Sequence, residues 1–175
     1  NRSIEEAKKY TKVHIAASSE DSNFSFFPSQ SSWEISENSD YIHITPNETI
    51  GGIALREVKD EATPIVADYS SSILSEPLDI NSFGLLYGGA QKNIGTAGLG
   101  FVIIKKDLLG EAQEITPTLL NYSCIDENSS MYNTPPTFSW YIAGKVFKWL
   151  KRKGGIKVAN VAELVSKLKN EAKVI

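Results

Sequence analysis

Short apolar runs, separated by polar and glycine-rich stretches, organise the chain between residues 13 and 104. Runs of this length that contain β-branched residues are typical of strands buried on both faces of a parallel sheet. The predicted strands are 13–17, 41–45, 65–69, 83–87 and 99–104. Strands that alternate with helical segments predict an α/β fold with a mostly parallel sheet.

Helical patterns flank these strands. Ser3 and Glu6 form a Ser-x-x-Glu capping box, which predicts a helix over residues 3–10. Pro135-Pro136 precede a longer amphipathic helix that Gly154-Gly155 end. A last helix is predicted over 158–172. The apolar face of the longer helix is predicted to consist of Phe138, Tyr141, Ile142, Val146, Trp149 and Leu150.

The remaining segments are predicted to be mainly loops. Residues 18–39 are rich in serine and acidic residues, and we expect their aromatic side chains to anchor them to the surface. The segment 70–82 has room for one or two helical turns, residues 107–109 open a short helix, and 111–132 is mostly loop. The aromatic anchors of the first loop would be Phe24, Phe26, Phe27 and Trp33.

Composition excludes several function classes. The 175 residues are 41% hydrophobic and 22% charged, as in an ordinary globular domain, and a net charge of −3 gives no reason to expect nucleic acid or a membrane surface as partner. No apolar stretch approaches the length of a membrane span. A single cysteine, Cys124, fits a reducing cytoplasm. With only His14 and His43, both in apolar runs, we expect structural histidines and no metal site.

Lys92 follows the predicted strand 83–87 and stands in a glycine-spaced loop. A lysine at the end of a buried strand loses part of its hydration, so it exists partly as the free amine and can form a Schiff base with an aldehyde cofactor. The alternative is a surface lysine in a loop between strands.

Asp68 lies 24 residues before Lys92, at the end of the predicted strand 65–69. Open α/β sheets bind ligands at the carboxyl ends of their strands. A carboxylate there can hold the pyridinium nitrogen of pyridoxal phosphate (PLP) in its protonated form. Asp68 alone could equally be a cap or a turn residue. A strand ending in Asp followed by a strand ending near Lys favours the PLP interpretation.

Four segments, HITPNETI (43–50), VADYSS (66–71), GAQKNIG (89–95) and MYNTPPT (131–137), resemble the phosphoserine aminotransferase family of class V PLP enzymes. The resemblance runs from about residue 3 to 155 in the family's order. It implies an incomplete large domain of the PLP-dependent transferase fold, fold type I. Residues 1–155 would be part of this PLP-binding domain, and 156–175 a divergent C-terminal helix.

The resemblance also implies roles for individual residues. By composition alone Thr49 would be a capping residue, Gln91 a polar loop residue, and residues 133–134 a turn before a helix. The family pattern implies that Lys92 forms the Schiff base and transfers the proton, and that Asp68 pairs with the ring nitrogen of the cofactor. Thr49 would reach the phenolic oxygen and Gln91 would bind the phosphate. Asn133 and Thr134 would bind the phosphate of the other subunit across a homodimer interface.

The implied reaction is transamination between L-glutamate and 3-phosphohydroxypyruvate to give 2-oxoglutarate and O-phospho-L-serine, a step of serine biosynthesis that often also serves pyridoxine biosynthesis. The family's Gly-Gly-Arg phosphate turn, its stacking aromatic and its substrate arginine are expected to have no counterpart in this sequence, whose only arginines are Arg2, Arg56 and Arg152. An alternative is therefore a catalytically incompetent partial domain that binds PLP weakly or associates with another subunit. A cysteine desulfurase is disfavoured because Cys124 is expected in an unrelated loop.

Overall fold

A computed structural model describes residues 2–153, and a four-stranded mixed sheet forms the centre of this part of the chain. The strands are β1 (Ile42–Ile44), β2 (Asn47–Glu48), β3 (Ile53–Ala54), β4 (Ile65–Asp68), β5 (Leu85–Gly89) and β6 (Gly100–Ile104). The order in the sheet is β1-β4-β5-β6, in which the first three strands are parallel and the last is antiparallel to its neighbour. A small antiparallel hairpin of β2 and β3 lies between β1 and β4 in the sequence.

The two faces of the sheet differ in chemistry. Ile44, Ala67 and Leu86 are cross-strand neighbours on one face, and all three are buried in the core. Because side chains alternate along a strand, the neighbouring positions point to the other face. Asp68 and Tyr87 are cross-strand partners there. The predicted, mostly parallel α/β sheet is confirmed, with β6 as its antiparallel edge.

The sequence was a poor guide to the N-terminal segment. Helix α1 (Arg2–Ala7) is shorter than predicted and already contains Ser3 in its first turn. The strand predicted over 13–17 is wrong, because these residues pair with no strand of the sheet. Two hydrogen bonds attach them to Glu34 instead. The Glu34 nitrogen donates to the Ala16 oxygen (2.8 Å), and His14 Nε2 lies 2.7 Å from the Glu34 oxygen.

Two predicted loops are more structured than expected. Residues 18–39 contain two 3₁₀ turns (Glu20–Ser22 and Gln30–Ser32), and Trp33 packs against the core while Phe24 and Phe26 are about half exposed. Residues 111–132 contain helix α2 (Tyr122–Glu127), so Cys124 is helical. The Asn121 side chain caps α2 by accepting a 3.0 Å bond from the Ser123 nitrogen, a signal available in the sequence.

The long helix α3 (Thr137–Lys153) forms where it was predicted, but its predicted apolar face is only partly correct, since Ile142, Val146 and Leu150 are half-buried and the aromatic residues are not. Ser139 and Ala143 are buried, whereas Phe138, Tyr141 and Trp149 are more than half exposed. The Ser139 hydroxyl donates to the Ala97 oxygen (2.8 Å) and accepts from Thr96 Oγ1 (3.0 Å). Small side chains let α3 approach the loop after Lys92 closely, so the large aromatic side chains point away from it.

No helix among residues 2–153 is both long enough and apolar enough to cross a bilayer. The short helix predicted to open at 107–109 is a single 3₁₀ turn, Lys106–Leu108. The helix predicted over 158–172 and the domain boundary predicted at 155/156 lie outside the described residues.

Candidate functional site

Two of the predicted site residues meet at one edge of the sheet. Asp68 is the last residue of β4, and β5 ends at Gly89, immediately before the turn that contains Gln91 and Lys92. Because β4 and β5 are parallel, their carboxyl ends lie side by side. The structure therefore brings a carboxylate and a primary amine to the edge at which sheets of this type bind ligands.

The Asp68 carboxylate is held by the residue two positions further along. Oδ1 accepts hydrogen bonds from the Ser70 nitrogen (2.9 Å) and the Ser70 hydroxyl (2.6 Å). The same hydroxyl accepts a 3.0 Å bond from the Gly89 nitrogen. Among the described residues, Oδ2 accepts no hydrogen bond, so one carboxylate oxygen remains available to a ligand.

The lysine turn is closed and attached to its surroundings by backbone and amide contacts. The Gly95 nitrogen donates to the Ala90 oxygen (2.8 Å), and Asn93 Nδ2 donates to the Ile73 oxygen (2.9 Å) in the turn that follows β4. These contacts hold the turn beside Asp68 without using the lysine side chain.

Lys92 itself is exposed, and its amine forms no hydrogen bond or ion pair with residues 2–153. The loss of hydration expected from the sequence is therefore wrong for this part of the chain. The reason is the register of β5, which begins at Leu85 and places Lys92 in the turn three residues beyond Gly89.

Gln91 and Thr49 lie in exposed turns next to this edge. The Gln91 side chain folds back so that its Oε1 lies against Gly89. Thr49 occupies the turn between β2 and β3. This hairpin is tied to the end of β4 because Ser71 Oγ donates to the Asn47 oxygen (2.9 Å) and accepts from Asn47 Nδ2 (2.8 Å).

A histidine–tyrosine pair lies on the same sheet face as Asp68. His43 Nε2 and Tyr87 Oη are 2.8 Å apart. Part of the His43 side chain is exposed, but desolvation of its ring lowers its pKa, opposed by the nearby Asp68 carboxylate. Burial, followed by the Asp68 charge, raises the pKa of Tyr87. Both groups are therefore uncharged near neutral pH, and the structural role expected of His43 corresponds to this contact.

Nearly the whole sequence matches one protein family. The profile described as "Aminotransferase class-V" matches residues 1–173 of the 175. The chain belongs to the class V aminotransferase family.

Individual members of this family resemble the chain closely over part of their length. The chain is 56% identical over 156 residues to "Phosphoserine aminotransferase" of Hahella chejuensis (strain KCTC 2396), a match that covers 89% of this chain and 43% of that protein. The chain thus spans less than half the length of this curated relative.

Solved structures of phosphoserine aminotransferases are also similar to this chain over part of their length. A phosphoserine aminotransferase from Bacillus circulans subsp. alkalophilus superposes with a TM-score of 0.84 at 42% identity, covering 88% of this chain and 43% of that one. PLP-bound phosphoserine aminotransferase from Trichomonas vaginalis has a TM-score of 0.68 at 40% identity, covering 73% and 36%. The sheet described above is therefore part of the class V fold, fold type I.

Asn133 and Thr134 lie in the segment that precedes helix α3. Both are exposed and line an open cavity of about 740 Å³ at the start of α3, next to Tyr132, Trp140 and Tyr141. Within residues 2–153, no hydrogen bond connects these two side chains to the lysine turn.

Sequence reasoning missed the residues that position this site. The sequence analysis predicts no role for Ser70, Asn47, Tyr87 or Asn93. A serine two residues after an aspartate is a known local hydrogen-bonding pattern, so Ser70 was accessible from the sequence. The contacts of Asn93 and Tyr87 join residues 20 and 44 positions apart, and no local pattern predicts them.

Proposed function

We propose that the protein is a PLP-dependent phosphoserine aminotransferase, which transfers the amino group of L-glutamate to 3-phosphohydroxypyruvate to give 2-oxoglutarate and O-phospho-L-serine in serine biosynthesis. The observation that carries this proposal is the placement of Asp68 and Lys92 at one edge of a class V sheet. The names of the relatives and neighbours support the substrates.

The residues at this edge fit PLP. The group carries a ring nitrogen that needs an anionic partner, and Asp68 has one carboxylate oxygen without a hydrogen bond from residues 2–153. It also carries an aldehyde that needs an amine, and the Lys92 side chain is unpaired within the same residues. When bound, PLP supplies an electron sink for the bond electrons released at the substrate α-carbon.

In the proposed reaction Asp68 keeps the ring nitrogen protonated by supplying its negative charge. Lys92 Nζ holds the cofactor before substrate arrives and then moves a proton at the substrate α-carbon as a general base and acid. Its exposed position leaves it free to reach both. The hydrogen bond from Asn93 to Ile73 limits how far the lysine turn can move from Asp68.

The other predicted residues would orient the cofactor. Thr49 would face the phenolic oxygen, and the contacts between Asn47 and Ser71 hold its turn next to β4. Gln91 would donate to the phosphate. Asn133 and Thr134 would contact the phosphate bound by a second copy of the chain, a role supported by their exposure.

The proposal includes a homodimer whose two subunits share each active site. Its support is an apolar surface on α3 and the segment before it, where Met131, Phe138 and Trp149 are each more than half exposed. Exposed apolar patches of this kind mark interaction sites, and a two-fold axis would pair the same surface of both subunits. A cytoplasmic location, without nucleic acid or membrane as partner, completes the proposal.

Lys92→Ala tests the assignment of the lysine. We expect the purified protein with added PLP to show a visible absorbance band, and borohydride reduction followed by peptide mapping to place the cofactor on Lys92. The variant should lose both signals. Lys106→Ala removes another exposed lysine, in the 3₁₀ turn after β6, and should keep them. Cofactor attached to a different lysine in Lys92→Ala would contradict the assignment.

The same experiment addresses the alternative of an incompetent partial domain. A mapped label on Lys92 without transamination of L-glutamate would indicate a partial domain. Label together with turnover of 3-phosphohydroxypyruvate would support the aminotransferase.

A further inference from the structure

Ser70 connects the side chain of Asp68 to β5, the strand leading to Lys92. Its hydroxyl donates to Asp68 Oδ1 (2.6 Å) and accepts from the Gly89 nitrogen (3.0 Å). Both the donor and one acceptor position of this hydroxyl are therefore used within the sheet.

The contact with Asp68 by itself has a purely structural explanation. A backbone N–H that donates to the side chain of an aspartate two residues earlier is a common turn contact. The contact with Gly89 is different, because it joins the turn after β4 to the end of β5, two residues 19 positions apart in the sequence. The two strands are also very close here, since a Cβ on Gly88 would lie 2.7 Å from the Ser70 nitrogen.

We infer that Ser70 is a positioning residue of the proposed PLP site, whose hydroxyl fixes the Asp68 carboxylate relative to β5 and leaves Oδ2 directed to the cofactor. This inference rests on the proposed function. Its basis is the difference between the two carboxylate oxygens of Asp68. Oδ1 accepts two hydrogen bonds from Ser70, and Oδ2 accepts none from residues 2–153. The Gly89 end of the link is three residues from Lys92.

The chain offers a matched control in the adjacent residue. Ser71 also carries a hydroxyl with two hydrogen bonds, but both go to Asn47 and neither to Asp68. Ser71→Ala therefore removes a similar number of contacts from the same turn. Ser70→Thr keeps the hydroxyl, whereas Ser70→Ala and Ser70→Cys remove it or replace it with a weak donor and acceptor.

The first measurement uses the cofactor-free protein. In Ser70→Ala and Ser70→Cys, the Gly89 amide loses its acceptor and should exchange with solvent about fivefold to tenfold faster, as expected for one lost hydrogen bond. The Asp68 carboxyl carbon should change its NMR chemical shift. Neither signal should change in Ser71→Ala, and Ser70→Thr should retain both. The cysteine variant preserves the test if the alanine variant does not fold.

The second measurement uses the protein with PLP. We expect kcat to fall about 10-fold to 100-fold in Ser70→Ala, as for a misplaced reacting group, with KM for L-glutamate within about twofold. Ser70→Thr should restore kcat. The inference is overturned if Ser70→Ala has the same Gly89 exchange and Asp68 shift as Ser71→Ala, or if its kcat equals that of the unmodified protein.

A different measurement shows whether the proposed function itself is wrong. If the unmodified protein does not attach PLP to Lys92, the aminotransferase assignment fails. The cofactor-free measurements would then still decide whether the Ser70 hydroxyl holds Asp68 to β5.

Discussion

Replacing Gly88 by alanine should destabilise the end of the sheet at which Asp68 and Lys92 lie. Gly88 is buried in β5, and an added Cβ would lie 2.7 Å from the Ser70 nitrogen and 2.8 Å from Phe101 Cε1. The Phe101 ring can turn aside, but the Ser70 nitrogen belongs to the main chain. Strands β4 and β5 must therefore move apart to accommodate the methyl group.

The cost follows from the contacts at this point. Overpacking of a well-packed interior costs about 1–3 kcal/mol. The displaced Ser70 also carries the bonds to Asp68 and Gly89, each worth about 1 kcal/mol. We therefore expect Gly88→Ala to lower the free energy of unfolding by about 3 kcal/mol, a large part of the roughly 5–15 kcal/mol of a typical domain.

Urea denaturation followed by far-UV circular dichroism measures this loss. Gly100→Ala is the control, because Gly100 lies on the adjacent strand β6 and its added Cβ would meet only the Gly88 oxygen, at 3.7 Å. That variant should stay within about 0.5 kcal/mol of the unmodified protein. If Gly88→Ala were as stable as Gly100→Ala, the close approach of β4 and β5 would not constrain the site.

Three further predictions concern charge. Asp68→Asn keeps an acceptor for Ser70 but removes the charge, so kcat should fall on the order of 100-fold to 1000-fold with PLP still bound; unchanged turnover would remove Asp68 from the site. Burial, followed by the Glu76 charge, raises the pKa of Tyr69 to about 12, so the protein should lose roughly 2–3 kcal/mol of stability as pH rises from about 10 to 12. Tyr69→Phe should abolish that loss in alkaline denaturation, and a persistent loss would place its origin elsewhere. Because the pKa of His43 is lowered, the folded protein favours the neutral ring, so this contribution to stability should be complete above about pH 6.5 and should decrease as the pH falls. His43→Gln should reduce this pH dependence in urea denaturation between about pH 7 and 5. A pH profile identical to that of the unmodified protein would contradict the prediction.

The strands that build the site were predictable because their chemistry is local. Uninterrupted apolar runs ending at Asp68 and close to Lys92 predict buried parallel strands, and parallel strands place their carboxyl ends at one edge. The strand predicted over 13–17 failed because an apolar run does not reveal whether a neighbouring strand is available for pairing. The predicted packing face of α3 was partly wrong for a similar reason. Hydrophobicity favours burial of Phe138 and Trp149, whereas close contact with residues 95–98 requires the small side chains of Ser139 and Ala143.

The sequence by itself determined the class V fold and the positions of the four strands of the main sheet, because these depend on local composition and family pattern. Only the tertiary structure decided that Ser70 holds Asp68 to Gly89, that Asn93 attaches the lysine turn to Ile73, and that Lys92 is exposed. Each of these depends on register between strands, and a shift of one residue along a strand reverses the direction of every side chain.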